Sequence, residues 1–143
     1  MAIAGSVGRG TDAAQDEAFA QELLESDKDR EEHTVVIDAI RDRLAPICER
    51  LVVAPTPGVL TLRHVQHLIT EIEGTVHERE GLLALAERLH PTPAVGGEPR
   101  DLALSLIDEH EGFDRGWYAG PIGWLGADGD GELMVALRSG IVQ

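Results

Sequence analysis

The run GSVGRG, Gly5 to Gly10, sets several backbone N–H groups in a glycine-rich turn, a concavity of the kind that takes an anion. It lacks the Lys-Ser/Thr of a phosphate loop and the second strand of a dinucleotide unit, so a plain turn also satisfies the pattern. In REEHTVV, Glu31, Glu32 and His33 stand near a helix start. Carboxylates are natural ligands for a hard cation such as Mg²⁺, and a solvated helix end is the alternative. Glu32 lies three residues before Val35 and His33 three before Val36, so one of the two leans toward the buried side. His64 and His67 are spaced for a transition metal on a helix, but no third ligand is in view, and packed or hydrogen-bonded histidines are the other reading. Arg138 ends an apolar run, where an arginine meets either a carboxylate or phosphate partner or plain water. DGDGE (128–132) has the composition of a calcium loop without its later ligands or helical flanks, which favours a hairpin turn.

Elements must hold these residues. Residues 3–10 read as a short buried strand entering a glycine turn. Residues 12–27 are rich in helix formers, with Phe19, Leu23 and Leu24 on one side and Thr11 or Asp12 as N-cap. The stretch from Lys28 to Leu51 reads as one second helix, with Val35, Val36, Ile40, Leu44, Ile47 and Leu51 as its stripe and a distortion at Pro46. The lone Cys48 falls inside that pattern and reads as packing. APTPG (54–58) is a loop, VLTLRHV a strand, and HLITEIEGTV a further extended segment. REGLLALAERLH and PRDLALSLIDEHE are helices, the second with proline near its start. The stretch from Trp117 to Val142 is a hairpin turning at GADGDG. Between the two later helices LHPTPAVGGEPR packs three prolines and two glycines into twelve residues, more backbone control than an ordinary loop needs.

The chain has 143 residues, enough for one domain with a core, and 43% are apolar, so it is not compositionally disordered. Its 12 Lys and Arg against 26 Asp and Glu give a net charge of −14, which argues against nucleic acid and against anionic membrane surfaces. A small anionic ligand in a local cationic pocket stays compatible with that charge. No apolar run approaches a membrane span, and the first residues hold no secretory signal. One cysteine excludes an intramolecular disulfide and fits a reducing cytoplasm. A strand at the very start and another closing at the end read as a chain cut at both ends.

Taken in order, IAGSVGRG, SDKDREEHTVV, VQHLIT, LHPTPAVGGEPR, FDRGWYAGPIGW and DGDGELMVALRSG resemble the chorismate-utilising enzymes, most closely the isochorismate synthases of siderophore and menaquinone pathways. The GS and EH blocks are shared with anthranilate, aminodeoxychorismate and salicylate synthases. The resemblance implies an α+β fold, a partial anthranilate synthase component I-like domain over 1–143 with helices packed on antiparallel sheet. It implies chorismate as substrate, Mg²⁺ as cofactor, and an isomerase that displaces the 4-hydroxyl with water at C2. By position, Glu32 matches a magnesium ligand, and Gly5 and Ser6 match the turn against the substrate. His67 matches an active-site histidine. Ala94 and Val95 match the nucleophile side of the ring, Tyr118 and Leu137 line the pocket, and Arg138 grips a carboxylate. Gly120 and Gly123 are expected to keep the backbone close to the ligand. Ala94 favours water over ammonia, since ammonia-using relatives usually place Thr there.

The resemblance also implies what this chain does not hold. The lysine that activates water and the glutamate that protonates the leaving hydroxyl belong upstream of AGS, and a second magnesium glutamate belongs downstream of the last strand. Lys28, the only lysine, matches a different position. No turnover is therefore expected from these 143 residues alone. Family members are often monomers, whereas unpaired strand edges and uncovered apolar faces should make this chain associate or aggregate. A salicylate or anthranilate synthase-type enzyme and a non-catalytic degenerate fragment are the alternative readings.

Overall fold

The structure, a computed structural model, describes residues 1–77, 80–137 and 139–140. It is α+β and divides into two compact units, Met1–Thr75 and Val76–Gln143.

The first unit runs β1 (Ala2–Gly8), α1 (Ala13–Glu25), α2 (Asp27–Leu44), β2 (Cys48–Val53), β3 (Gly58–Thr61), β4 (Val65–Thr70) and β5 (Ile72–Val76). Its main sheet is antiparallel in the order β1-β4-β3, and β2 pairs with β5. Asp12 caps α1 through its side chain, accepting from Gln15 N at 2.9 Å. Ser26 ends one helix and starts the next: its N–H donates to Glu22 O and its Oγ accepts from Asp29 N. Asp27 and Asp29 lie in the first turn of α2 and Arg41 and Arg43 in its last, matching the helix dipole at both ends. Alternate residues of β4, Gln66, Leu68 and Thr70, are buried together with Ala2 and Ala4 of β1, Leu23 of α1, and His33, Val36 and Ile40 of α2. Period-two burial in the strands meets the helical stripe there, and that is the core.

The second helix is shorter than the sequence pattern suggests. It stops at Leu44, Ala45–Ile47 form a 3-10 turn around Pro46, and Cys48 opens a strand. Proline has no N–H to donate and its ring crowds the carbonyl four residues back, so the helix ends there. Leu51 and Cys48 thus belong to β2, and the Cys48 sulfur lies against Gly74 of its partner strand.

The second unit holds α3 (Leu82–Leu89), α4 (Pro93–Gly96), α5 (Arg100–Glu111), β6 (Pro121–Leu125) and β7 (Gly131–Val135). The last two form the expected antiparallel hairpin, with Pro121 opposite Val135 and Leu125 opposite Gly131. DGDGE is its turn: Gly126 N donates to Asp130 O at 2.7 Å and Asp130 N to Asp128 Oδ1 at 3.2 Å. Among the described residues no helix is long and apolar enough to cross a membrane.

Candidate functional site

In the first unit the site starts from a defect in β1. Ala2, Ile3 and Ala4 pair with Thr70, Ile69 and Leu68, but Ser6 pairs with His67, so Gly5 is an extra residue bulged out of the ladder. Strict alternation after Ala2 and Ala4 would send Ser6 into the core beneath α2. The bulge reverses the parity and turns Ser6 to the other face, where its Oγ lies 2.7 Å from His67 Nδ1. Gly5 alone suits this place. Its φ is +75°, and a Cβ would stand 3.1 Å from Asp29 Cβ and 3.3 Å from a Leu68 methyl. The first turn of α2 therefore sits directly on the bulge. Glu32 lies one turn further along α2, three residues from Asp29, and is exposed.

Of the neighbouring pair, His33 is the buried one, at 2% exposure. Its Nε2 is 2.8 Å from Thr70 Oγ1 on β4, and among the described residues its Nδ1 has no hydrogen-bond partner. Burial holds its pKa below the ordinary histidine range, with the Ala4 backbone opposing that shift. The ring pins α2 to the sheet, while Glu32 beside it stays in solvent.

The glycine turn does bind an anion, and the anion is the chain's own. Asp16, in the first turns of α1, accepts from Arg9 Nε at 2.7 Å and from Gly10 N at 2.8 Å, and a further Arg9–Asp16 bond completes a fork. Arg9 also donates to Leu62 O at 2.6 Å, and Gln66 Nε2 donates to Asp16 Oδ1 at 3.2 Å. Hydrogen bonding from Arg9 and then from Gly10 holds the Asp16 carboxyl below its usual range. This network ties β1, α1 and β4 together next to His67. His64 lies in the turn before β4, so it shares no helix with His67.

The second unit carries the other candidates. Ala94 and Val95 belong to α4, a single helical turn inside what the sequence presents as a loop, with Ala94 exposed and Val95 half-buried. Tyr118 sits in the turn before β6, and its N–H donates to Arg115 O at 2.9 Å. The next residue, Ala119, has φ of +61°, unusual for a residue with a side chain, and is buried. Ala119 N donates to Ala136 O and Ala136 N to Gly120 O, both at 2.9 Å, which brings Tyr118 near Leu137. Arg138 lies outside the described residues. Gly123 keeps its backbone close to β7, since a Cβ there would stand 1.8 Å from Glu132 O.

Two holding residues were not singled out from the sequence, Asp16 and Arg115. Glu111 and Arg115 are four apart in sequence, but α5 ends at Glu111 and Gly112 turns left-handed, so helical spacing does not account for this pair.

Among the described residues no group of three or more His, Cys, Asp or Glu side chains is placed to hold a metal. Mg²⁺ demands a near-octahedral oxygen set, and Glu32 offers one exposed carboxylate. The residues present do not by themselves fit that ion.

Comparison with known proteins agrees with the fold. The salicylate-biosynthesis isochorismate synthase of Pseudomonas aeruginosa is 50% identical over 141 residues, covering 99% of this chain and 30% of that protein. The structure of the menaquinone-specific isochorismate synthase from Escherichia coli superposes with a TM-score of 0.88 at 39% identity, over 96% of this chain and 31% of that one. Anthranilate synthase component I from Streptococcus pneumoniae gives a TM-score of 0.81 at 31% identity, over 96% of this chain and 33% of that one. The chain thus spans about a third of the length of the relatives it matches. The family described as chorismate binding enzyme matches residues 1–143, and the chain belongs to that family.

Proposed function

We propose that these residues are part of an isochorismate synthase, which converts chorismate to isochorismate by adding water at C2 as the 4-hydroxyl departs. One observation carries the reading. Every described position that the family resemblance assigns to substrate or metal, apart from Gly5, keeps exposed or half-exposed surface, while the residues flanking them hold the fold. Ser6 and His67 present a hydrogen-bonding pair to the ligand on the face the bulge opens. Ala94, with its single methyl, leaves room for water beside the ring. By the family resemblance, Tyr118 and Leu137 are pocket residues and Arg138 takes a substrate carboxylate. Glu32 supplies one carboxylate toward Mg²⁺, whose remaining donors are not among the described residues. We place it in the cytoplasm and in siderophore or menaquinone biosynthesis; the relatives' names give salicylate biosynthesis and menaquinone specificity.

A chimera tests this. The matching 141 residues of the Pseudomonas aeruginosa enzyme are replaced by this chain, and products from chorismate with Mg²⁺ are separated by chromatography. Isochorismate alone supports the proposal, and it should vanish when the metal is chelated. Salicylate or anthranilate as the product favours the sister activities and overturns it.

A further inference from the structure

The second unit has little to hold its site residues in place by packing. Among its described residues only Gly96 and Ala119 are buried. Val95 lies in α4, four residues long. A helix of one turn does not sustain itself, and its last carbonyls have no partner within it. The Val95 carbonyl does have a partner, Arg115 Nη1 at 3.1 Å. The same guanidinium donates from Nε to Glu111 Oε2 at 2.7 Å and makes a second bond to the other carboxylate oxygen. Glu111 is the last residue of α5, so the fork is mounted on the longest helix of this unit. The Arg115 hydrogen bonds hold the Glu111 carboxyl below its usual range, so the pair stays charged at neutral pH. Through its own carbonyl Arg115 also takes the Tyr118 N–H at 2.9 Å, and the next residues pair with Ala136 beside Leu137.

Hydrogen bonds thus run from Val95 through Arg115 to Tyr118, and the two residues after Tyr118 bond to Ala136, the neighbour of Leu137. We propose that Arg115 is a positioning residue for the chorismate site: it sets the Ala94–Val95 wall against Tyr118 and so fixes the space in which the nucleophile stands. This rests on the function proposed above. Lysine cannot replace it, because an ammonium has no planar fork to serve Glu111 and Val95 together. A site residue displaced by about 1 Å costs up to roughly 100-fold in rate.

Two measurements test the assignment. In the 143-residue chain, amide hydrogen exchange is followed in the parent, Arg115→Ala, Arg115→Lys and Glu111→Gln. Val95, Gly96 and Gly97, whose N–H groups bond within α4 and at its end, should lose protection in Arg115→Ala, while the amides of α3 keep theirs. Unchanged protection at 95–97 overturns the bracket without reference to any activity. In the chimera described above, Arg115→Ala should raise KM for chorismate by roughly 10-fold or more and let added ammonium compete with water in the products. Arg115→Lys and Glu111→Gln should fall between it and the parent. A purely structural arginine would lower Tm and the active fraction but leave KM and product ratio alone, and that result overturns the proposal. The unsubstituted chimera separates the two claims. Absence of isochorismate from it counts against the function, whereas an active chimera indifferent to Arg115 counts against Arg115 only.

Discussion

In the first unit Leu68, His33 and Thr70 are sealed between two helices and a three-stranded sheet. In the second, Trp117 is 82% exposed and Trp124 58%, and Leu83, Leu102, Ile122 and Met134 are exposed with them. Both units carry helices and antiparallel strands in register, although side chains cap the helices only in the first. They differ in what happens to apolar side chains. Burial stabilises by about 25 cal/mol per Å² of apolar surface removed from water, and the first unit collects that term while the second mostly does not. The second is held by directed bonds instead: the Arg115 fork, the hairpin ladder and the turn around Ala119. Two ways of holding site residues coexist in one chain, and each predicts its own response to substitution.

The largest contrast comes from truncating leucines. Leu68 is fully buried, and Leu68→Ala should cost about 2 to 5 kcal/mol, the range for a core cavity. Leu106→Ala on α5 removes an exposed side chain and should stay within about 0.5 kcal/mol. Urea denaturation followed by circular dichroism reads both. A comparable loss for both variants would mean that the second unit packs more than its exposure shows. The parent melt bears on the expected association of the chain: a sharp, concentration-independent transition of a monomer would contradict it.

A smaller contrast comes from hydroxyls. Thr70→Val keeps the shape but leaves the buried His33 ring without its bond at Nε2, when Nδ1 already has none among the described residues. The expected cost is about 1 to 3 kcal/mol, with α2 loosened over the Gly5 bulge. Thr92→Val, before α4, removes a side chain that makes no capping bond and should be close to neutral. If Thr70→Val is also neutral, the pin between helix and sheet carries no weight. Exchange of the Ser6 and His67 amides would then stay as in the parent.

Much of this was readable in the sequence, for reasons that differ by residue. The hairpin and its turn followed from glycine and aspartate placement, and α1 from its formers and the Asp12 cap. The end of α2 was missed because Ile47 and Leu51 continue the helical spacing numerically, whereas Pro46 decides the matter sterically. Periodicity narrowed the choice between Glu32 and His33 but could not make it. The sheet made it, because Thr70 offers a partner 37 residues away. The Ser6–His67 pair depends on a parity reversal that no local pattern announces. The anion partner of the glycine turn was legible only as a chemical need. That Asp16 fills it depends on how α1 folds back over β1 and β4.

The smallest expected effect concerns pH and compares two carboxylates held by arginines. Asp16 accepts from Arg9, from a backbone N–H and from Gln66, which joins three elements, whereas among the described residues Glu111 accepts from Arg115. Both carboxyls are held below their ordinary values. A lowered folded-state value means the contribution is complete above the unfolded value, near pH 4, and is lost as pH falls through the folded one. Both pairs are substantially solvated, so each effect should be modest and should shrink in salt. Asp16→Asn should therefore narrow the gap between denaturation midpoints at pH 7 and pH 3, because its partners span the unit with the core. Glu111→Gln should leave that gap nearly as it is, and its effect should appear in exchange at residues 95–97. A reversal, with Glu111→Gln flattening the acid dependence and Asp16→Asn not, would place the charge-dependent stability in the exposed unit. The division between a unit held by burial and a unit held by directed bonds would then fail.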